Sequence, residues 1–176
     1  MAGRAAGYYC RVPHDPQSSV LFVCMGNICR SPTAEGVFRA AVAQIGLERA
    51  FYADSAGIGD WHVGQPPDRR AVLAAQRRGY DLSKLRARQV RTGDFERFGW
   101  ILAMDLANLR ALEAMRPPTY AGHLGLLLDF APQAGLREVP DPYYGGREGF
   151  ERVLDLIEMA SAELLLRLRA ASPPRA

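Results

Sequence analysis

Four consecutive apolar residues, Val20-Leu21-Phe22-Val23, run straight into Cys24-Met25-Gly26-Asn27 and then into Ser31-Pro32-Thr33-Ala34-Glu35. A short apolar run without alternation suits a strand buried on both faces of a parallel sheet. Gly26-Asn27 carries the turn. Ser31 to Glu35 reads as a helix start, with Pro tolerated in the first turn and Glu35 suited to the positive end of the helix dipole. Val37, Phe38, Ala41, Val42 and Ile45 then keep helical spacing to a stop near Gly46. Parallel strands must be joined by crossovers, usually helices, so this segment alone points to an α/β fold.

The rest of the chain repeats the alternation. Strands are expected at Phe51 to Ser55, Trp100 to Met104 and Leu124 to Leu128. Helices are expected at Asp68 to Arg78 (stopped by Gly79), Asp94 to Phe98, Leu106 to Met115 (ended by Pro117-Pro118) and about Gly149 to Arg169. The expected architecture is a single α/β domain with a four-stranded parallel sheet flanked by helices on both faces.

With 176 residues, 48% hydrophobic and 23% charged, the chain is long and apolar enough for one folded domain. Three cysteines exclude a disulfide scaffold. No apolar run approaches the ~18 residues of a bilayer span, and Arg4, Arg11, His14 and Asp15 break up any secretory leader. A net charge of +3 is too mild to point to nucleic acid. The expected setting is therefore the reducing cytoplasm, without a membrane or nucleic-acid partner. Residues 1–17 read as a flexible extension, 18–171 as the domain and 172–176 as a short tail.

Chemistry concentrates in the loop Cys24-Met25-Gly26-Asn27-Ile28-Cys29-Arg30-Ser31. It lies where ligands of open α/β sheets bind, at the carboxyl end of a strand. Backbone amides of a tight loop can form an anion nest, and a helix N-terminus adds its own free N–H groups. Arg30 supplies a fork for two phosphate oxygens. The same positive field stabilises a thiolate at Cys24, positioned for phosphoryl transfer. No Gly-Lys-Ser/Thr follows, which removes the nucleotide P-loop reading. A lone Cys at a strand end is more often inert core, and Cys-x5-Arg occurs by chance. The surrounding strand, turn and helix give the spacing its weight.

These residues, with Asp54-Ser55-Ala56, Asp60-Trp61-His62-Val63-Gly64, Ala87-Arg88-Gln89-Val90, Met104-Asp105 and Asp141-Pro142-Tyr143-Tyr144-Gly145, resemble the low-molecular-weight protein tyrosine phosphatases in order and spacing from about Ser18 to Arg169. The resemblance implies phosphotyrosine hydrolysis through a phosphocysteine on Cys24. Arg30 would bind phosphate, and Asp141 would act as general acid and then general base. Ser31 would donate its hydroxyl to the thiolate, and Asn27 would shape the loop through Ser55. Ile28, Trp61, Tyr143 and Tyr144 would wall a pocket for a flat phosphoaryl group. Independently of the resemblance, Cys29 shares one tight loop with Cys24 and is expected to trap its sulfenic acid as a disulfide, the alternative being a residue that only packs. No metal or cofactor is implied. The implied partners are phosphotyrosine-containing proteins, with the enzyme a monomer or weak homodimer.

Many members carry a His just before Ala-Arg-Gln; here Lys84-Leu85-Arg86 stands there, so the loop needs another support or fewer bonds. Arsenate reduction, run by a related family on this scaffold, needs cysteines downstream, and none follows Cys29. A phosphopeptide-binding module would need neither Cys24 nor Asp141. His14, His62 and His123 lack metal-ligand spacing and are read as non-catalytic. Arg77, Arg78, Arg86, Arg88 and Arg91 are read as a solvated face.

Overall fold

The computed structural model describes residues 18–171; residues 1–17 and 172–176, assigned above to an extension and a tail, lie outside the described residues. Four parallel strands, β1 (Ser19–Cys24), β2 (Tyr52–Gly57), β3 (Trp100–Ala103) and β4 (His123–Leu126), form one sheet in the order β2-β1-β3-β4. The helices are α1 (Arg30–Gln44), α2 (Arg69–Arg77), α3 (Asp94–Arg97), α4 (Leu106–Met115) and α5 (Arg147–Ala171).

The pleat sorts β1 to two sides, since alternate side chains leave a strand on opposite faces. Val20, Phe22 and Cys24 join the core under α1, α2 and α5, with Phe38, Leu154 and Ile157. Leu21 and Val23 join the opposite core, with Phe95 of α3 and Leu112 of α4. Helices on both faces leave no face of β1 in water, and all six of its residues are buried. The uninterrupted apolar run thus reflects its place inside a doubly covered sheet.

The structure departs from the sequence expectation at β4, at β2 and in α1. β4 ends at Leu126; Leu127 and Leu128 belong to a buried 3-10 turn, Leu127–Phe130. A short apolar run has the same composition in either conformation, and only tertiary packing chooses. β2 continues to Gly57 because Ala56 and Gly57 stay in register with Val23 and Cys24. Glu35 does not serve the dipole: no acidic residue lies in the first turn of α1, and Glu35 is buried farther along it.

Candidate active site

β1 delivers Cys24 to the carboxyl edge of the sheet, where the chain turns through residues 25–29 before α1 begins at Arg30. The turn is possible because Asn27 adopts φ 54°, a left-handed conformation that Asn tolerates better than most residues. The loop also sits directly on β2. A Cβ on Gly57 would lie 3.0 Å from both the Gly26 carbonyl carbon and the Met25 oxygen, so any larger residue would press the loop away from β2. Ile58 and Gly59 then donate backbone bonds to Cys24 and Met25 carbonyls, both at 2.9 Å. Asp68, which caps α2, donates its N–H to the Ile28 carbonyl at 2.7 Å.

Cys24 Sγ is buried, with Ser31 Oγ at 3.0 Å and the Asn27 N–H donating to it at 3.3 Å. The Asn27 side-chain amide donates to Ser31 Oγ and to Ser55 Oγ, each at 2.9 Å. Its oxygen accepts the backbone N–H of Arg88 at 2.9 Å. That backbone bond holds Asn27 in a chain whose preceding segment offers Lys84-Leu85-Arg86 rather than a histidine. Ser55 in turn donates to Glu35 Oε2 at 2.6 Å. Burial pushes the Glu35 carboxyl up to about 7, against the opposing pull of Arg39 and the Ser55 bond.

Arg30 is 3% exposed. Its guanidinium donates to Asp105 Oδ2 at 2.6 Å, to the Val139 carbonyl at 3.1 Å and to Asp141 Oδ2 at 3.2 Å. Asp105 is doubly used, because its other oxygen caps α4 through the Asn108 N–H. Asp141 reaches Arg30 from 111 residues away along the chain, and its second oxygen accepts the Tyr143 N–H at 3.0 Å. A cavity of about 190 Å³ collects Cys24, Ile28, Cys29, Arg30 and Asp141 with Trp61, Tyr143 and Tyr144 around them. A buried sulfur, a fixed guanidinium and a carboxylate facing one small cavity form a set suited to attack on a phosphate ester.

Residues 19–173 match the family model described as low molecular weight phosphotyrosine protein phosphatase. The chain belongs to that family. It is 44% identical to the low molecular weight protein-tyrosine-phosphatase of Bacillus subtilis over 151 residues, covering 86% of this chain and 96% of that one. With the Homo sapiens low molecular weight phosphotyrosine protein phosphatase it shares 42% identity over 137 residues, 77% and 85% of the two chains. The crystal structure of a protein tyrosine phosphatase from Entamoeba histolytica, with Hepes in its active site, superposes with a TM-score of 0.84 at 39% identity, covering 87% and 97%.

Several expectations change in detail around this phosphatase site. Trp61 and Tyr144 line the cavity from its solvent side: Tyr144 is 96% exposed. Trp61 folds over Gly59, where any Cβ would collide with the indole ring. Tyr143 and Tyr144 meet edge to face, with centroids 5.1 Å apart. His62 lines the cavity, packed on Gly26, a position its lack of metal-ligand spacing did not reveal. Arg88 is no solvated residue but pairs with Asp54 and Asp94, while Arg77 and Arg78 tie α2 to Glu151 on α5.

Sequence reasoning also missed Arg70. It pairs with Asp68, donates to the Tyr143 carbonyl at 2.9 Å and stacks over Tyr143, staking down the segment that carries Asp141. The same ion pair holds Asp68 below the usual carboxylate range. Cys29 is buried beside Cys24 in the same cavity lining, and burial, with Asp68 nearby, pushes its thiol up to about 12.

Proposed function

We propose that Cys24 attacks the phosphorus of phosphotyrosine in protein substrates, forming a phosphocysteine while Asp141 protonates the departing phenolate. Arg30 holds two non-bridging oxygens throughout. Its guanidinium also pairs with Asp105 and with Asp141, so a phosphate on its fork would lie beside Asp141. In the second step Asp141 takes a proton from water, water oxygen bonds to phosphorus, and the S–P electron pair returns to sulfur. Ser31, 3.0 Å from Sγ, donates to that thiolate. Ile28 and the aromatic rim favour a planar aryl group over a short alkyl phosphate.

The observation that carries this reading is the meeting of Cys24, Arg30 and Asp141 at one cavity. The test is release of phosphate from a phosphotyrosine peptide in excess chelator. The native enzyme should turn over, and Cys24→Ser should fold and be inactive, since a serine hydroxyl is too weak a nucleophile in a site built for a thiolate. Hydrolysis by Cys24→Ser, or dependence on added metal, would overturn it.

Cys29 is proposed as the trap for oxidised Cys24. Peroxide would convert the Cys24 thiolate to sulfenic acid, and the Cys29 thiol would displace water to give a disulfide. Because Cys29 is held as a thiol, this second step should be slow and accelerate with rising pH. Peptide mapping after mild oxidation should find the 24–29 disulfide; irreversibly oxidised Cys24 with intact Cys29 would end the idea.

A further inference from the structure

Glu35 is a buried carboxylate that the reaction above leaves without a task. It lies at the end of an unbroken hydrogen-bonded series: Glu35 Oε2 to Ser55 at 2.6 Å, Ser55 to Asn27 at 2.9 Å, Asn27 to Ser31 at 2.9 Å, Ser31 to Cys24 at 3.0 Å. Hydroxyls have one proton each, so the direction of one bond constrains the next. A carboxylate can only accept. It therefore claims the Ser55 proton, and Ser55 must accept from Asn27. The Asn27 amide is thereby held with its oxygen toward the Arg88 N–H and its second N–H toward Ser31. Ser31, already accepting, has its own proton left to give, either to Cys24 or to the Ala56 carbonyl at 3.2 Å.

We propose that Glu35 is a positioning residue for breakdown of the phosphocysteine, its carboxylate orienting the Ser55–Asn27–Ser31 series so that the Ser31 proton meets the departing Cys24 sulfur. The inference rests on Cys24 being the nucleophile. Its effect belongs to the second step. There the S–P bond breaks, its electron pair goes to sulfur, and the new thiolate needs a donor. In the first step the thiolate is the reactant, and weakening a bond to it does not slow attack.

The surroundings support a directional role. Arg39 on the same helix pairs with Glu35 Oε1 at 2.8 Å, which leaves Oε2 for Ser55. Asp54 on β2 opposes the Glu35 charge, and Arg88, on the segment before α3, favours it. In Glu35→Gln, Arg39 would keep the amide oxygen and turn the amide N–H₂ toward Ser55. The first bond of the series would then reverse.

Pre-steady-state hydrolysis of p-nitrophenyl phosphate separates the steps: the burst reports phosphorylation of Cys24, and the following rate reports its hydrolysis. Glu35→Gln should keep the burst rate and lower the second rate about tenfold at pH 7.5, the size expected for one hydrogen bond to a charged sulfur. In the native enzyme the second rate should fall as pH drops through about 7, where Glu35 gains its proton, and the variant should lack that component. Ser55→Ala severs the route, so it should slow the second step itself, and adding Glu35→Gln should then cost nothing further. Equal slowing of both steps, an unchanged second rate in either single variant, or additive losses in the double variant would overturn the proposal. If Glu35→Gln does not fold, the Ser55→Ala result decides. Activity in Cys24→Ser would instead strike the assignment of Cys24.

Discussion

Two segments meet at the cavity and are held in opposite ways. Residues 24–31 are fixed from within: Asn27, Arg30 and Ser31 are buried, Asn27 bonds to Ser55 of β2, Arg30 to Asp105 at the edge of α4, and the Ile28 carbonyl accepts from Asp68 at the edge of α2. Residues 141–146 are fixed from outside, by exposed Arg70 and by Asp141 reaching in to Arg30. The difference follows from the chemistry each serves. A thiolate and a phosphate need donors already in place, because rearranging them during the reaction would cost part of the stabilisation they provide. A proton donor has to approach leaving groups of different size and then exchange its role with water, which a segment tethered at its surface permits. Perturbing the buried segment should therefore damage every substrate alike, and perturbing the exposed one should damage substrates selectively.

The largest selective effect should come from Asp141→Ala. Tyrosine leaves as an oxygen with a pKa near 10, so it needs the proton, whereas p-nitrophenolate needs it far less. The variant should lose about 10²–10⁴-fold on a phosphotyrosine peptide and much less on p-nitrophenyl phosphate. Equal losses on both would place Asp141 among structural turn residues.

Gly57→Ala tests the buried segment without touching a reacting group. The added methyl meets Gly26 and Met25 backbone, so the loop must move. A loss of about 1–3 kcal/mol in stability is expected from overpacking of this kind, together with weaker inhibition by inorganic phosphate and similar proportional losses on all substrates. An unchanged phosphate affinity would mean that the loop adjusts freely and is less rigid than its bonding suggests.

Arg70→Ala should have the smallest effect, again confined to the phosphotyrosine peptide. It releases the Tyr143 carbonyl and ring from α2. The Arg70 end of the ion pair is exposed, so little stability should be lost. Turnover of phosphotyrosine peptide should fall roughly three- to tenfold, in line with one hydrogen bond, with p-nitrophenyl phosphate nearly unaffected. Adding Asp141→Ala should remove the difference, since the two residues would act through one segment.

The parts readable from the sequence were those whose physical cause is local. Val20 to Val23 announced a doubly buried strand, and the loop from Cys24 to Ser31 carries its own turn, cation and helix start. The strand order and the end of β4 were not local. Leu127 and Leu128 continue the apolar composition of the strand, yet they turn and pack into the core beside α5. Arg88 looked solvent-bound in a run of arginines, and only the approach of Asp54 and Asp94 gives it a partly buried ion pair.

By itself, then, the sequence determined the α/β architecture and the pair proposed to react, Cys24 and Arg30, because hydrophobic runs and a seven-residue motif act over short stretches of chain. Asp141 was identifiable through its motif, but its place beside Arg30 is a product of folding. Tertiary structure alone decided what Asp105, Arg70, Gly57 and Glu35 do. Their residue types are common and their neighbours carry no motif for these tasks. Asp105 meets Arg30 across 75 residues, Arg70 meets Tyr143 across 73, and Glu35 meets Ser55 across 20. A buried carboxylate or a surface arginine takes its function from the group that desolvation and packing set opposite it, and that group is chosen by the closure of the sheet, not by the adjoining residues.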